Sequence, residues 1–163
     1  MIALRPLAPQ DFQFVKDLYE DPGMCEYFRN APPLMVWNSP ETMMQLFTVS
    51  YVVTEDELPI GMINLVNPDA INKHVEFGLM LNCANRQDVA IEATKQLGAY
   101  VFEYLGYNKL SCKVLEHRTN LMQLLARFKF SIEGRLRQHT YYNGEFHDEI
   151  VLSLLAQDYR SVV

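Results

Sequence analysis

The segment at 85–90, with the sequence NRQDVA, is a short polar stretch that runs directly into a long amphipathic pattern. A loop that leads into a helix is a common phosphate site, because the first-turn amide N–H groups have no acceptor inside the helix. This segment contains no glycine, and it places the carboxylate of Asp88 beside the expected helix start. The chemistry it suggests is anion binding, with Arg86 as an attracting group and Asp88 as a repelling one.

A second group able to do chemistry lies in the strand pattern at 74–81. Because side chains alternate along a strand, His74, Glu76 and Gly78 share one face. A carboxylate at Glu76 suits removal of a proton from an amine, either directly or through a water molecule. The alternative is a partly exposed strand carboxylate with no catalytic role, and His74 is interpreted as structural.

Composition limits the classes of function that these residues can serve. The 163-residue length predicts one domain spanning 1–163 with one hydrophobic core. Acidic residues outnumber basic ones by 20 to 14, and the resulting net charge of −6 disfavours nucleic-acid binding. No run of roughly 18 apolar residues is present, so no membrane-spanning segment is expected. The three cysteines are far apart and form no metal-ligand pattern, which predicts no metal site and a reducing cytoplasm.

Hydrophobic periodicity predicts the element order β-α-α-β-β-β-α-β-α-β-β, a mixed α/β sheet with helices on its faces. The predicted strands lie at 1–6, 47–54, 60–66, 74–81, 109–115, 132–142 and 146–155. Helices are predicted from residue 8 to a stop at 21–23, from Ser39 onward, from the segment at 85–90 to Gly106, and at 121–128. Ser39 is the expected N-cap, residues 67–69 an expected turn, and Asn143–Gly144 a strong hairpin signal.

Six short segments in this order and spacing carry a resemblance to a known family. They are LRPL at 4–7 followed by Asp11, PIGMI at 59–63, VEFGL at 75–79, FEYLGYNKL at 102–110, FSIEGRLR at 130–137, and YNGEFHD at 142–148. From residue 2 to residue 159 the chain resembles the GNAT superfamily of acyl-CoA-dependent N-acetyltransferases. It is most similar to the branch that acetylates the N-termini of ribosomal proteins.

The resemblance implies acetyl-CoA as cofactor and Glu76 as the general base. Backbone amides that follow Gly78 are then expected to polarise the acyl carbonyl. It also implies that the acceptor pocket is built from the loop at 22–40, which contains Trp37, and from the last hairpin. The cofactor-binding residues that it implies are Leu79, Leu81, Asn85, Arg86, Gln87, Asp88, Val89, Ala90, Arg118 and Asn120.

The chain departs from the pattern of active family members at these cofactor positions. The family loop has the form Gln/Arg-x-x-Gly-x-Gly/Ala, and here Ala90 takes the final small position while Asp88 replaces the key glycine. The family's later Asn and Ser correspond to Arg118 and Leu121, although a shift of two residues would supply Asn120. A tyrosine that often serves as general acid falls near Leu125, and leucine cannot donate a proton.

Asp88 has two interpretations in this setting. Facing a pyrophosphate, its carboxylate would repel the ligand. As a helix N-cap, which is the interpretation favoured here, it would accept a backbone N–H that the cofactor otherwise uses. The cations Arg86, Arg118 and Lys129 are a possible electrostatic substitute for the lost glycine contacts.

The departures lead us to expect a GNAT fold with lost or weakened catalysis that acts as a protein-binding or structural subunit. GNAT-like domains also occur among phage virion proteins, so the expected location is the cytoplasm or a virion. Such a role implies a protein partner or self-assembly, with no cofactor if catalysis is lost. The alternative is an active acetyl-CoA-dependent N-acetyltransferase for a protein N-terminus or a small amine. A basic cluster at 118–137 is interpreted as a solvated face or a contact for an acidic partner rather than a nucleic-acid site.

Overall fold

The computed structural model describes residues 1–21, 38–47, 49–82 and 86–161. The chain divides into two compact units, and we refer to Met1–Leu65 with Leu79–Ala93 as the first unit and to Val66–Gly78 with Thr94–Val163 as the second. The sequence-based expectation of one domain stays a prediction. Asn85 and most of the expected acceptor loop, including Trp37, lie outside the described residues.

The first unit is built from the N-terminal strands and helices. Its elements are β1 (Ile2–Pro6), a 3₁₀ turn (Pro9–Asp11), α1 (Phe12–Glu20), α2 (Pro40–Leu46), β2 (Ser50–Glu55) and most of β3 (Leu58–Asp69). Ser39 caps α2 as predicted, because its Oγ accepts the backbone N–H of Thr42 at 3.3 Å. The core of this unit consists of Leu7, Val15, Leu18, Met43, Val52, Met62 and Met80.

A charged pair fixes the turn between β1 and α1. Asp11 is only 4% exposed, and its two carboxylate oxygens accept hydrogen bonds from Arg5 at 2.6 and 2.7 Å. The backbone N–H of Ala8 adds a third bond at 2.9 Å. Burial alone would raise the pKa of Asp11, but the Arg5 and Ala8 bonds outweigh it and leave that pKa below its usual value.

The second unit contains the remaining elements. They are β4 (His74–Leu81) up to Gly78, the end of α3 (Gln87–Gly98), a π-helical turn (Ala99–Tyr104), β5 (Lys109–Leu115), α4 (Thr119–Arg127), β6 (Ser131–Tyr142), β7 (Glu145–Leu155) and α5 (Ala156–Tyr159). The β6–β7 hairpin turns at Asn143 and Gly144, whose φ angles of +52° and +84° suit the predicted two-residue turn.

The strands hydrogen-bond in the order β1-β2-β3-β4-β5-β7-β6. The β4–β5 pair is parallel, whereas β1–β2, β2–β3, β5–β7 and β6–β7 are antiparallel. The mixed α/β sheet predicted from the sequence is therefore confirmed. The bounds of β4 and β5 match the predicted ranges.

Several predicted bounds were wrong. The expected turn at 67–69 belongs to the long strand β3, which continues to Asp69 although Asn67 takes a left-handed φ of +51°. The second strand begins at Ser50 rather than at residue 47, and α4 begins at Thr119 rather than at residue 121. The short helix α5 and the π-helical turn were not predicted.

Candidate functional site

The start of α3, in the first unit, is a candidate anion site. The helix begins at Gln87, and the N–H of Ala90 donates to the carbonyl oxygen of Arg86 at 3.1 Å. Asp88 therefore lies inside the first helical turn. The prediction that it is the N-cap was wrong, since Arg86 takes the position before the first helical residue.

The side chain of Asp88 binds Arg86 and also accepts from the backbone N–H groups of Val89 and Asp88 in the first turn. Arg86 Nε lies 2.9 Å from Asp88 Oδ1, and Arg86 Nη2 lies 2.8 Å from Asp88 Oδ2. These bonds lower the pKa of Asp88, so the carboxylate is ionised and matched by a cation. The repulsion that Asp88 would exert on a phosphate is consequently weaker than its sequence position suggests.

Arg86 has a second acidic partner. Its Nη2 lies 2.9 Å from Oε1 of Glu55, the last residue of β2. Arg86 is 40% exposed and Asp88 is 67% exposed. Exposed ion pairs are weak and are readily exchanged for other partners.

An anion such as the pyrophosphate of acetyl-CoA fits this helix start under one condition. The first-turn amides of an α-helix have no acceptor within the helix, and the helix dipole favours an anion there. Arg86 supplies a cation with several donors for phosphate oxygens. To use them all, it must turn away from Glu55 and Asp88, and its exposure permits that movement. The residues Gln87, Val89 and Ala90, which were predicted to bind the cofactor, follow in the same turn.

Glu76, in the second unit, is the candidate general base. Its side chain is 22% exposed, and Oε2 lies 3.2 Å from Nζ of Lys113. It pairs in register with Ser111 on the neighbouring strand β5. The predicted base is thus a half-buried carboxylate with a cationic neighbour.

The pairing between β4 and β5 ends at Glu76. Within the described residues, the parallel register of β4 and β5 runs from His74 with Lys109 to Glu76 with Ser111. β5 continues beyond this point and stays paired with β7 as far as Leu115. Gly78, two residues after Glu76, is exposed, and a Cβ placed on it would have no heavy atom within 4 Å. Backbone here is accessible to a ligand.

The end of β4 belongs to the first unit and is fixed by β3. The N–H of Asn82 donates to the carbonyl of Ile60 at 3.0 Å. A Cβ on Gly61 would clash with the Met80 carbonyl oxygen and with the Leu81 side chain, so only glycine permits this packing. The predicted cofactor residues Leu79 and Leu81 are both half-buried.

The start of α4 holds the last predicted cofactor residues. Arg118 precedes the helix, and its carbonyl oxygen accepts the N–H of Met122 at 3.2 Å. Asn120 is exposed in the first turn. Leu125, at the position where a tyrosine is often the general acid, is 5% exposed and packed in the core. This position supplies no proton donor.

The tip of the β6–β7 hairpin carries a feature that sequence reasoning missed. A cavity of about 300 Å³ is lined by His117, Tyr142, Asn143, Glu145 and His147. Of these residues, the sequence-based predictions covered those of the hairpin motif at 142–148, and His117 was not among them. The signal that could have found it is the repeated pairing of an acid with a histidine, at 116–117 and 147–148, at the ends of two strands that pair.

Two general properties hold for the described residues. No group of three or more His, Cys, Asp or Glu side chains is placed to hold a metal ion. No helix in this part of the chain is long and apolar enough to span a membrane.

A model of the acetyltransferase (GNAT) domain matches residues 2–131. The spermidine N(1)-acetyltransferase of Escherichia coli strain K12 is 23% identical over 170 residues, which cover 97% of this chain and 88% of that protein. The putative ribosomal N-acetyltransferase YdaF of Bacillus subtilis is 29% identical over 100 residues, or 61% of this chain and 55% of the relative.

A solved structure is similar over its whole length. The spermidine N-acetyltransferase from Vibrio cholerae, in complex with CoA and spermine, superposes with a TM-score of 0.84 at 20% identity. The alignment covers 98% of each chain. At this identity the likeness establishes the fold.

Proposed function

Because this chain belongs to the acetyltransferase (GNAT) family, we propose that it is an active acetyl-CoA-dependent N-acetyltransferase that acts on a primary amine. The observation that carries the proposal is the placement of Glu76. It is a half-buried carboxylate at the last paired position of β4 with β5, followed by the open backbone of Gly78. A base beside accessible backbone amides is what amine acylation requires.

Glu76 prepares the amine. An alkylamine is protonated near neutral pH and attacks only as the free base, so a proton acceptor is needed. The Glu76 carboxylate can accept that proton directly or through water, while the Lys113 ammonium at 3.2 Å holds the carboxylate in place. The amides after Gly78 are proposed to donate to the acyl oxygen as negative charge develops on it.

When bound, acetyl-CoA would supply the acetyl group as a thioester, whose thiolate is a far better leaving group than an alkoxide and needs no strong acid. Leu125 cannot act as a general acid, and with a thiolate as the leaving group the reaction does not need one at this position. We propose that Arg86 and the first-turn amides from Gln87 to Val89 hold the phosphates, with Ala90 as the small residue that follows them. Leu79 and Leu81 on β4, together with Arg118 and Asn120, are proposed to contact the rest of the cofactor.

The acceptor we propose is a polyamine. Relatives that align over nearly the whole chain are named spermidine N-acetyltransferases. The net charge of −6 also favours the approach of a polycation over that of an anion. A protein N-terminus, which the ribosomal relative suggests over a shorter range, is the acceptor to test next.

The competing candidate is the one that the sequence first suggested, a protein-binding or virion subunit with lost catalysis. One observation favours it, namely that Arg86 is bound by both Glu55 and Asp88 at the helix start. The relatives with names that state an activity are enzymes, which supports the catalytic candidate instead. A protein partner, self-assembly and a cytoplasmic location stay predictions.

Two measurements test the proposal in sequence. Acetyl-CoA at about 100 times its dissociation constant adds roughly 2.7 kcal/mol of stability, which should raise the melting temperature by several degrees. Chromatography should then detect CoA released from acetyl-CoA only when spermidine is added. If neither spermidine nor a peptide with a free N-terminus causes release, the catalytic proposal is wrong.

A further inference from the structure

The cavity at the hairpin tip is lined by hydrogen-bonding groups and aromatic rings. Its side chains are two imidazoles, a phenol ring, a carboxamide and the carboxylate of Glu145. Among the described residues, the lining contains no lysine or arginine. Each group in it can accept a hydrogen bond or present an aromatic ring, and the formal charge comes from Glu145.

A network of bonds holds the two histidines next to each other. Pairing of β5 with β7 ends at Leu115 with Glu149, and the N–H of Glu116 then donates to the carbonyl of Asp148 at 3.1 Å. Arg135 bridges the side chains of Glu116 and Asp148. His117 follows Glu116 and His147 precedes Asp148, so the two imidazole rings lie together with their centroids 5.6 Å apart.

Arg135 therefore has its ionic partners, Glu116 and Asp148, outside the cavity lining. The N–H of Gln138 also donates to Asp148 at 2.7 Å. These bonds, that of Gln138 first and those of Arg135 next, lower the pKa of Asp148 and keep it ionised. The Arg135 guanidinium is thus matched by the carboxylates of Glu116 and Asp148, and it is not among the residues that line the cavity.

The tautomer of His147 follows from its partner. Its Nε2 lies 3.2 Å from the carbonyl oxygen of Tyr142. A carbonyl oxygen only accepts, so Nε2 carries the hydrogen. In the neutral ring Nδ1 is then the acceptor. The Tyr142 ring lies 6.1 Å from the imidazole, centroid to centroid, and adds a π face to the same cavity.

We propose that this cavity binds the ammonium group of an organic cation. Aromatic faces and a carboxylate are the groups that recognise alkylammonium ions. Within the part of the chain that the structure describes, the lining offers an anion no lysine or arginine, and no group of three metal-ligating side chains is present. The proposal does not require acetyl transfer, because binding can be measured without acetyl-CoA.

The test uses tetramethylammonium chloride, which cannot be acetylated. The imidazole signals of the four histidines can be followed by NMR and assigned with His117→Ala and His147→Ala. We expect saturable shifts of the His117 and His147 signals, while those of His74 and His139 stay unchanged. Sodium chloride at the same concentration should shift none of them.

Paired variants identify the groups responsible. Tyr142→Phe keeps the ring and should keep binding, whereas Tyr142→Leu should weaken it about tenfold. Glu145→Gln should weaken it about fivefold, and Glu57→Gln, an exposed acid in the other unit, should not. Equal shifts in Tyr142→Leu and wild type, or an absence of saturable shifts in wild type, would overturn the proposal. Tighter binding of phosphate than of tetramethylammonium would do the same. Failure of spermidine acetylation with intact binding would reject the proposed enzyme and leave this cavity standing.

Discussion

Arg86 Nη2 lies 2.9 Å from Oε1 of Glu55, a residue 31 positions earlier in the chain. The contact joins the start of α3 to the end of β2 within the first unit. Together with the bonds from Arg86 to Asp88, it determines how much positive charge the helix start can offer an anion. The proposed cofactor site therefore depends on a guanidinium that has acidic partners before any ligand arrives.

Replacement of Asp88 by Asn should strengthen acetyl-CoA binding. It removes a negative charge near the phosphates and frees Arg86, so we expect the dissociation constant to fall about fivefold. Isothermal titration calorimetry measures this directly. Glu103→Gln, which removes an exposed acid from the second unit, is the matched control and should leave the constant unchanged. Weaker binding by Asp88→Asn would show that Asp88 presents Arg86 to the ligand instead of competing for it.

Replacement of Glu76 by Gln should lower kcat by about a hundredfold to a thousandfold. Gln has nearly the same shape but cannot accept the proton from the amine. Calorimetry should find unchanged acetyl-CoA binding in this variant. Ser111→Ala changes the register partner of Glu76, and its kcat should stay close to that of wild type. Near-normal turnover by Glu76→Gln would assign Glu76 to the structure of the sheet.

Replacement of Asp11 by Asn should lower the free energy of unfolding by about 2 kcal/mol at neutral pH, because the charged bonds from Arg5 are lost. The pKa of Asp11 is lowered in the folded chain, so its contribution is present above the unfolded value of about 3.9. It is lost as pH falls through the folded value. Urea unfolding should therefore show a difference between wild type and variant that shrinks below pH of about 3.9.

The control for Asp11 is Asp17→Asn, which alters an exposed helix residue bonded to Gln13. This variant should have nearly wild-type stability at each pH. An Asp11→Asn difference that grows on acidification would contradict the assigned role of the Arg5 pair.

Replacement of Gly98 by Ala should destabilise the chain by about 1 to 2 kcal/mol, although alanine is the better helix former. A Cβ at this position would lie 2.5 Å from Cε2 of Tyr159, which is buried against the helix. Gly134→Ala is the matched control, since a Cβ there meets nothing within 4 Å. Thermal unfolding of the two variants compares them. Equal melting temperatures would show that α5 can move away at no cost.

Local sequence patterns predicted the parts of the fold that are determined by interactions between residues close together in the sequence. Alternation alone located β4 and β5, and Asn143–Gly144 located the hairpin, because positive φ at both turn positions favours these residues. The N-cap at Ser39 was found for the same local reason. Long-range packing determined what was missed, including α5, which lies against Gly98 from far along the chain.

The candidate site was predictable only in part. The position of Glu76 follows from strand alternation, but its contact with Lys113 requires the parallel register of β4 and β5. The position of Asp88 was misassigned because the helix begins at Gln87, one residue earlier, and its strongest partner is the Arg86 side chain. The hairpin cavity depends on the pairing of β5 with β7, which brings His117 beside His147. Composition and residue spacing do not predict that β5 pairs with β7.

The most direct test of the proposed function is mass spectrometry of spermidine after incubation with acetyl-CoA that carries a ¹³C-labelled acetyl group. We expect labelled monoacetylated spermidine with wild type and at least about a hundredfold less with Glu76→Gln. Unlabelled spermidine in both reactions, although acetyl-CoA binds to the wild-type chain, would contradict polyamine acetylation. Equal product from both proteins would contradict the role of Glu76.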